Sequence, residues 1–180
     1  MYQMLKKIFT TPLKVKSERD IRGISEIETL GKAIKERANK LFGGSIAIRE
    51  VAAGSSNAEE QELVALTNAY YDIERFGVQF VASPRHADML FVTGPVSRNM
   101  AEGLRRTYAA MPTPKWVVAV GDGAIDGGIY RGSYAVYDRV ADVIPVDFKI
   151  SGDPPAPKVI LKAVLEILET IDHNRTIQAA

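Results

Sequence analysis

The chain has 180 residues, 46% hydrophobic and 25% charged, with a formal net charge of +1. That length suits one domain with a real core, and so small a charge gives no basic field to recruit nucleic acid. With no cysteine anywhere, disulfides, classical zinc sites and thiol catalysis are excluded.

Residues 1–16 carry four Lys and no acid, and Met4, Leu5, Ile8 and Phe9 share one face of a short helix ending near Pro12. Such a stretch either lies on a membrane surface or a partner, or is a frayed terminus. It lacks the long apolar run of a secretory signal. No segment approaches the ~20 apolar residues of a membrane-spanning helix. The expected location is cytoplasmic, with at most peripheral contact on the inner face of the membrane. Residues 14–25 read as a polar connector, which gives an arm over 1–25, a single α/β domain over 26–172 and a tail over 173–180.

From Glu26 to Leu41, Ile27, Leu30, Ile34, Ala38 and Leu41 step by three or four, the spacing of an amphipathic helix. Gly43-Gly44 stops it. Ser45–Val51 is a short strand leading into Gly54-Ser55-Ser56, and a helix from about Ala58 to Ile73 turns Leu63, Leu66, Tyr70 and Ile73 inward. Val78–Val81 and Met89–Thr93 are strand-length apolar runs, and Met100, Leu104, Tyr108 and Met111 mark another helix. Trp116–Val120 is continuously apolar, as in a parallel strand buried on both faces. Val143–Ile150 supplies a last strand, and Pro157 opens a final helix with Ile160, Ala163, Val164, Ile167 and Ile171 inward. Strands alternating with helices predict an α/β domain with a mainly parallel sheet. In such a sheet ligands bind beyond the carboxyl ends of the strands, here at the loops 52–57, 94–97, 121–128 and 151–155.

Three of those loops, Gly54-Ser55-Ser56-Asn57-Ala58-Glu59-Glu60, Gly121-Asp122-Gly123-Ala124-Ile125-Asp126-Gly127-Gly128 and Ser151-Gly152-Asp153-Pro154-Pro155-Ala156-Pro157, resemble one family. It is the cluster-bearing small subunit shared by respiratory complex I (the NADH:quinone oxidoreductase 20 kDa-like subunit) and the membrane-bound [NiFe] hydrogenases. Its segments read G-S-C-N-G-C-E, G-x-C-A-x-x-G-G and P-G-C-P-P-R-P. The likeness covers most of residues 45–170, including Asp72-Ile73-Glu74-Arg75-Phe76-Gly77, Ala82–Asp88, Met111–Val117 and Ile144-Pro145-Val146-Asp147. It implies a flavodoxin-like three-layer fold, an oxidoreductase assembly and a large-subunit partner at the loop edge. The chain stops soon after its last helix, where uptake hydrogenases carry a further cluster domain, and this favours the membrane-bound branch.

The resemblance places the four cluster-ligand positions at Ser56, Glu59, Gly123 and Asp153. The family's [4Fe–4S] cluster is held by thiolates, so no cofactor is expected, and these positions are vestigial. Ser56-Asn57-Ala58-Glu59 also fits the S-x-x-E capping box, with Asn57 as cap and Glu60 as its partner the alternative. Ser56, Glu59 and Asp153, with Asp122 or Asp126, are oxygen donors of the type hard cations take. Gly123 adds no side chain, however, and Asp122 and Asp126 suit a turn, so no metal is expected. The glycines at 121–128 are not a dinucleotide fingerprint, and flavin rests on fold analogy alone. His86 and His173 read as surface residues. Glu74 and Arg75 read either as an interface pair, as the family implies, or as a solvent-facing ion pair.

The leading expectation is a cluster-free, non-catalytic structural or coupling subunit of a membrane-associated complex I-like or hydrogenase-like assembly. Phe76, Pro84, Pro95, Ile129 and Tyr130 are its expected contacts with the large subunit, unless they fold back onto their own domain. One alternative is a subunit taking part in redox chemistry through a partner's cofactor or a quinone. Another is a freestanding small-molecule-binding domain.

Overall fold

The computed structural model describes residues 18–179, with side chains from 26 to 177. The amphipathic N-terminal segment around Met4–Phe9 lies outside the described residues. The first helix, α1 (Glu18–Phe42), starts eight residues ahead of the expected boundary. The connector reading of 14–25 is thus corrected over its last eight residues. Ile21 and Ile24 continue the three- and four-residue spacing backward from Ile27, which overrides the weak helix propensity of Gly23.

β1 (Ile46–Ala52) follows, then α2 (Ala58–Ala65), β2 (Val78–Phe80), β3 (Met89–Thr93), β4 (Val96–Ser97) and α3 (Arg98–Ala110). The chain continues through β5 (Trp116–Val120), the short α4 (Asp122–Asp126), β6 (Val136–Tyr137), β7 (Phe148–Ile150) and α5 (Pro157–Ala179). α5 therefore runs on through most of the segment read as a tail. The described residues form a five-stranded parallel sheet in the order β2-β1-β3-β5-β7, and β4 and β6 form a small antiparallel pair. Leaving out that pair, the order is the flavodoxin-like 2-1-3-4-5.

Strand alternation builds the three layers. Met89 and Phe91 of β3 and Val118 and Val120 of β5 face α1 and α5, packing with Ile34, Ile160, Leu161 and Leu168. Leu90, Val92, Val117 and Ala119 face the other side, against Ala101 and Leu104 of α3 and Ala124 of α4. Phe91, Leu90 and Leu104 are completely buried. A sheet sandwiched between helices explains why Val117–Val120 show no polar alternation.

Two element expectations need correction. α2 ends at Ala65 rather than Ile73, and Tyr70 is 49% exposed, although Leu63, Leu66 and Ile73 are buried. Asn68 is the physical reason: its Oδ1 accepts the N–H groups of Tyr70 and Tyr71 at 2.8 and 3.0 Å, an alternative to the helical ladder. The last strand begins at Phe148, not Val143, because a 3-10 turn occupies Val140–Asp142 and Pro145 has no N–H to pair.

α1 and α5 are fastened by charge as well as by packing. Asp172 accepts from Arg37 at 2.5 Å and from Lys40 at 2.7 Å. Near the other end, Glu26 pairs with Lys158 at 2.5 Å and Lys162 at 3.5 Å.

Candidate functional site

β1, β3, β5 and β7 all release their chains at one edge of the sheet, and their loops interlock there. The N–H of Ala53 donates to the carbonyl of Thr93, and that of Ser97 donates to the carbonyl of Ala53. The N–H of Gly121 reaches Ile150 O and that of Asp122 reaches Gly152 O, both at 2.8 Å. Asp122 Oδ1 accepts the Gly152 N–H in return at 2.9 Å. Gly94 makes the crossing possible. Its φ is +68°, and a Cβ there would lie 2.3 Å from Ser55 Cα.

Ser56 does not cap the helix. It is exposed, and Asn57 holds the N-cap position in the left-handed region (φ 73°) without a side-chain cap bond. An N-cap side chain normally reaches back from an extended backbone; this left-handed turn removes that geometry, so both capping-box readings fail. Ser55 organises the loop instead. Its hydroxyl accepts the Asn57 N–H at 3.3 Å and donates to Glu60. Thr93 Oγ1, at the end of β3, donates to the same Glu60 oxygen.

Glu59 turns inward and is only 4% exposed. It lies against Gly121, where a Cβ would come within 2.7 Å of Glu59 Oε1. Its Oε2 is buried without a hydrogen-bond partner. Burial pushes the carboxyl up, its own backbone N–H partly offsets this, and the charges of Glu60, Asp153 and Asp122 raise it further. The structure thus brings Glu59, Asp153 and the 121–123 turn into one neighbourhood and leaves Ser56 outside on the surface.

The donors present do not fit a thiolate-held [4Fe–4S] cluster. The four positions carry a hydroxyl, two carboxyls and a glycine, and none carries sulfur. A Cβ at Gly123 would sit 3.0 Å from Pro95 Cδ, tighter than ordinary contact. Among the described residues no group of three or more ligating side chains is arranged to hold a metal ion.

Residues 57–167 match the family described as NADH ubiquinone oxidoreductase, 20 Kd subunit. The chain belongs to this family. It is 44% identical over 115 residues to the B-1 subunit of NADH-quinone oxidoreductase from Herpetosiphon aurantiacus, a match covering 63% of this chain and 64% of the relative. Among solved structures it is similar to a chain of the membrane-bound sulfane sulfur reductase, described as an archaeal respiratory membrane complex. There the identity is 33% and the TM-score 0.64, over 72% of this chain and 71% of that one. A chain of an NAD+-reducing [NiFe]-hydrogenase shares the fold at 17% identity, with TM-score 0.54 over 70% of this chain and 92% of the other.

The expected partner contacts divide. Phe76 is 4% exposed and its ring packs on α1, where a Cβ at Gly31 would fall 2.2 Å away. Pro95 is buried among the loops and Pro84 is half-buried. Phe76 and Pro95 therefore fold onto their own domain. Ile129 and Tyr130 are exposed as expected, and Tyr134, at 90% exposure, extends the apolar surface they begin. The sequence reading missed Tyr134, although it follows the same glycine-rich turn. Arg75 pairs with Glu28 at 2.5 Å and Asp72 at 3.5 Å rather than with its neighbour Glu74. Both histidines are exposed.

Proposed function

We propose that the chain is a cluster-free member of its family that serves as a structural or coupling subunit of a membrane-associated oxidoreductase assembly. The buried Glu59 carboxyl carries this reading: it stands at a position that the resemblance gives to a thiolate ligand, and it lies against the Gly121 turn. A family sheet kept intact, with its donors replaced by side chains that cannot hold the cluster, is what a subunit retained for its surface would show. The relatives support the setting, since one is a quinone oxidoreductase subunit and another belongs to a respiratory membrane complex. Among the described residues no helix is long and apolar enough to cross a membrane, so association would be peripheral.

The partner is a large subunit of the same assembly, reached through the exposed turn that bears Ile129, Tyr130 and Tyr134. Apolar and aromatic side chains held out on loops are typical interface anchors. Two measurements test the proposal. Purified anaerobically with iron and sulfide supplied, the protein stays colourless; stoichiometric iron and sulfide with a reducible spin-resonance signal would overturn the cluster-free reading. Affinity capture from the native host recovers a large subunit and membrane proteins, and Tyr130→Asp reduces that recovery. A chain that elutes alone, indifferent to Tyr130→Asp, is instead the freestanding ligand-binding domain.

A further inference from the structure

A crevice of about 320 Å³ lies beside the carboxyl half of β1, where β2 has already ended. The β1–β2 register stops at Ile48 opposite Phe80, while Arg49 to Ala52 pair with β3 on the other side. Neighbouring strand residues send their side chains to opposite faces, yet Arg49 and Glu50 both line this crevice. It therefore wraps around the bare edge of the strand. Leu63 from α2, with Phe80 and Val81 across from it, makes the wall apolar, and Glu60 completes the polar end.

Three polar atoms of this lining are buried without a hydrogen-bond partner: Arg49 Nε, Glu50 Oε1 and Glu60 Oε2. Buried polar atoms nearly always have partners, and an unpaired one calls for an explanation. Two of these atoms are carboxylate oxygens and one is a donor. One cation against two carboxylates leaves a single negative charge to balance. Burial, and then the charge of Glu60, pushes the Glu50 carboxyl up, against the opposing pull of Arg49 and Thr93. A cation seated between the two glutamates would relieve that repulsion, whereas an anion would add to it. The volume equals that of about ten waters at ~30 Å³ each, and lies at the small end of ligand pockets.

We propose that this crevice binds a small amphipathic amine, its ammonium between Glu50 and Glu60 and its apolar tail along Leu63, Phe80 and Val81. The site goes beyond the function proposed above, and neither cluster content nor partner capture bears on it.

The test is an amide-shift titration of the full-length chain with 2-phenylethylamine, 2-phenylethanol and phenylacetate as probes. The amine gives saturable shifts confined to residues 49–50, 60–64 and 80–82. The alcohol binds at least about tenfold more weakly, and phenylacetate gives no shift there. Glu50→Gln weakens the amine about tenfold or more. Val64→Trp, placed at an exposed position on the rim, blocks the crevice while leaving the glutamates in place, and so serves if Glu50→Gln misfolds. Equal binding of amine and alcohol, shifts centred elsewhere, or an amine affinity unchanged by Val64→Trp would overturn the proposal.

Discussion

Two buried carboxylates, Asp172 and Glu59, are treated in opposite ways by the same fold. Asp172, 7% exposed, takes bonds from Arg37 and Lys40, and the Lys40 bond above all holds its carboxyl below the usual range. Glu59, 4% exposed, has an unpartnered oxygen and acidic neighbours, and its carboxyl is pushed up. A buried charge is tolerated where it is paired and costly where it is not. Asp172 therefore belongs to the scaffold that ties α5 to α1. Glu59 occupies ground that folding alone would have filled with an apolar side chain. The difference separates a region arranged for stability from one that leaves a buried carboxyl oxygen without a partner.

The interlocked loops offer the strongest way to break that contrast. Gly94→Ala forces a Cβ to within 2.3 Å of Ser55 Cα at a positive φ, combining backbone strain with overpacking. Each contributes about 1–3 kcal/mol, so a loss of roughly 2–6 kcal/mol is expected in urea unfolding. A loss below about 1 kcal/mol would mean that the edge yields freely and that Glu59 is not confined by it.

Asp172→Ala comes next and leaves Arg37 and Lys40 facing each other without their shared acceptor. Its clearest signature is in pH. An acid whose native pKa is depressed contributes stability that is present above its unfolded value, about 4, and lost as pH falls through the native value. The wild type should therefore show an acid loss that Asp172→Ala lacks, visible in thermal melts taken from neutral pH downward. Identical acid limbs would show that the α1–α5 tie holds without this charge.

Glu59→Gln should act in the other direction. With its native pKa raised, the wild type loses stability as pH climbs from the unfolded value of about 4 to the native one. The amide cannot ionise, so the variant should be the more stable at pH 7, by on the order of 1 kcal/mol, and should lose that advantage near pH 4. A variant that is destabilised at neutral pH would show that the carboxylate is satisfied there and that the contrast with Asp172 is false.

What the sequence made legible follows the same division. β3 and β5 are readable because burial on both faces leaves uninterrupted apolar runs, Met89–Val92 and Val117–Val120. The inward stripes of α1 and α5 are readable because packing on one side imposes helical spacing. The edge carrying the site followed from topology and, by a separate route, from the resemblance of its loop segments. Local polar competition was not readable: Asn68 ends α2 through its own side chain, and the left-handed Asn57 leaves Ser56 outside the helix. Nor does spacing indicate that Phe76 finds its space over Gly31 rather than in a partner.

The smallest expected effect decides how the first loop is held. A motif of the form S-x-x-E points to Ser56 as a cap, worth about 0.5–2 kcal/mol on replacement by alanine. In the structure Ser56 is exposed and the cap position belongs to Asn57, which makes no side-chain bond. Ser56→Ala should therefore change stability by less than about 0.5 kcal/mol, as surface substitutions usually do. Ser55→Ala removes the hydroxyl that receives the Asn57 N–H and donates to Glu60, and should cost about 1 kcal/mol. Paired urea titrations of the two variants separate the alternatives. If Ser56→Ala proved the more damaging, the helix would have to begin a residue earlier, with Glu59 turned back to the cap. Glu59 would then no longer be a carboxyl buried without a partner.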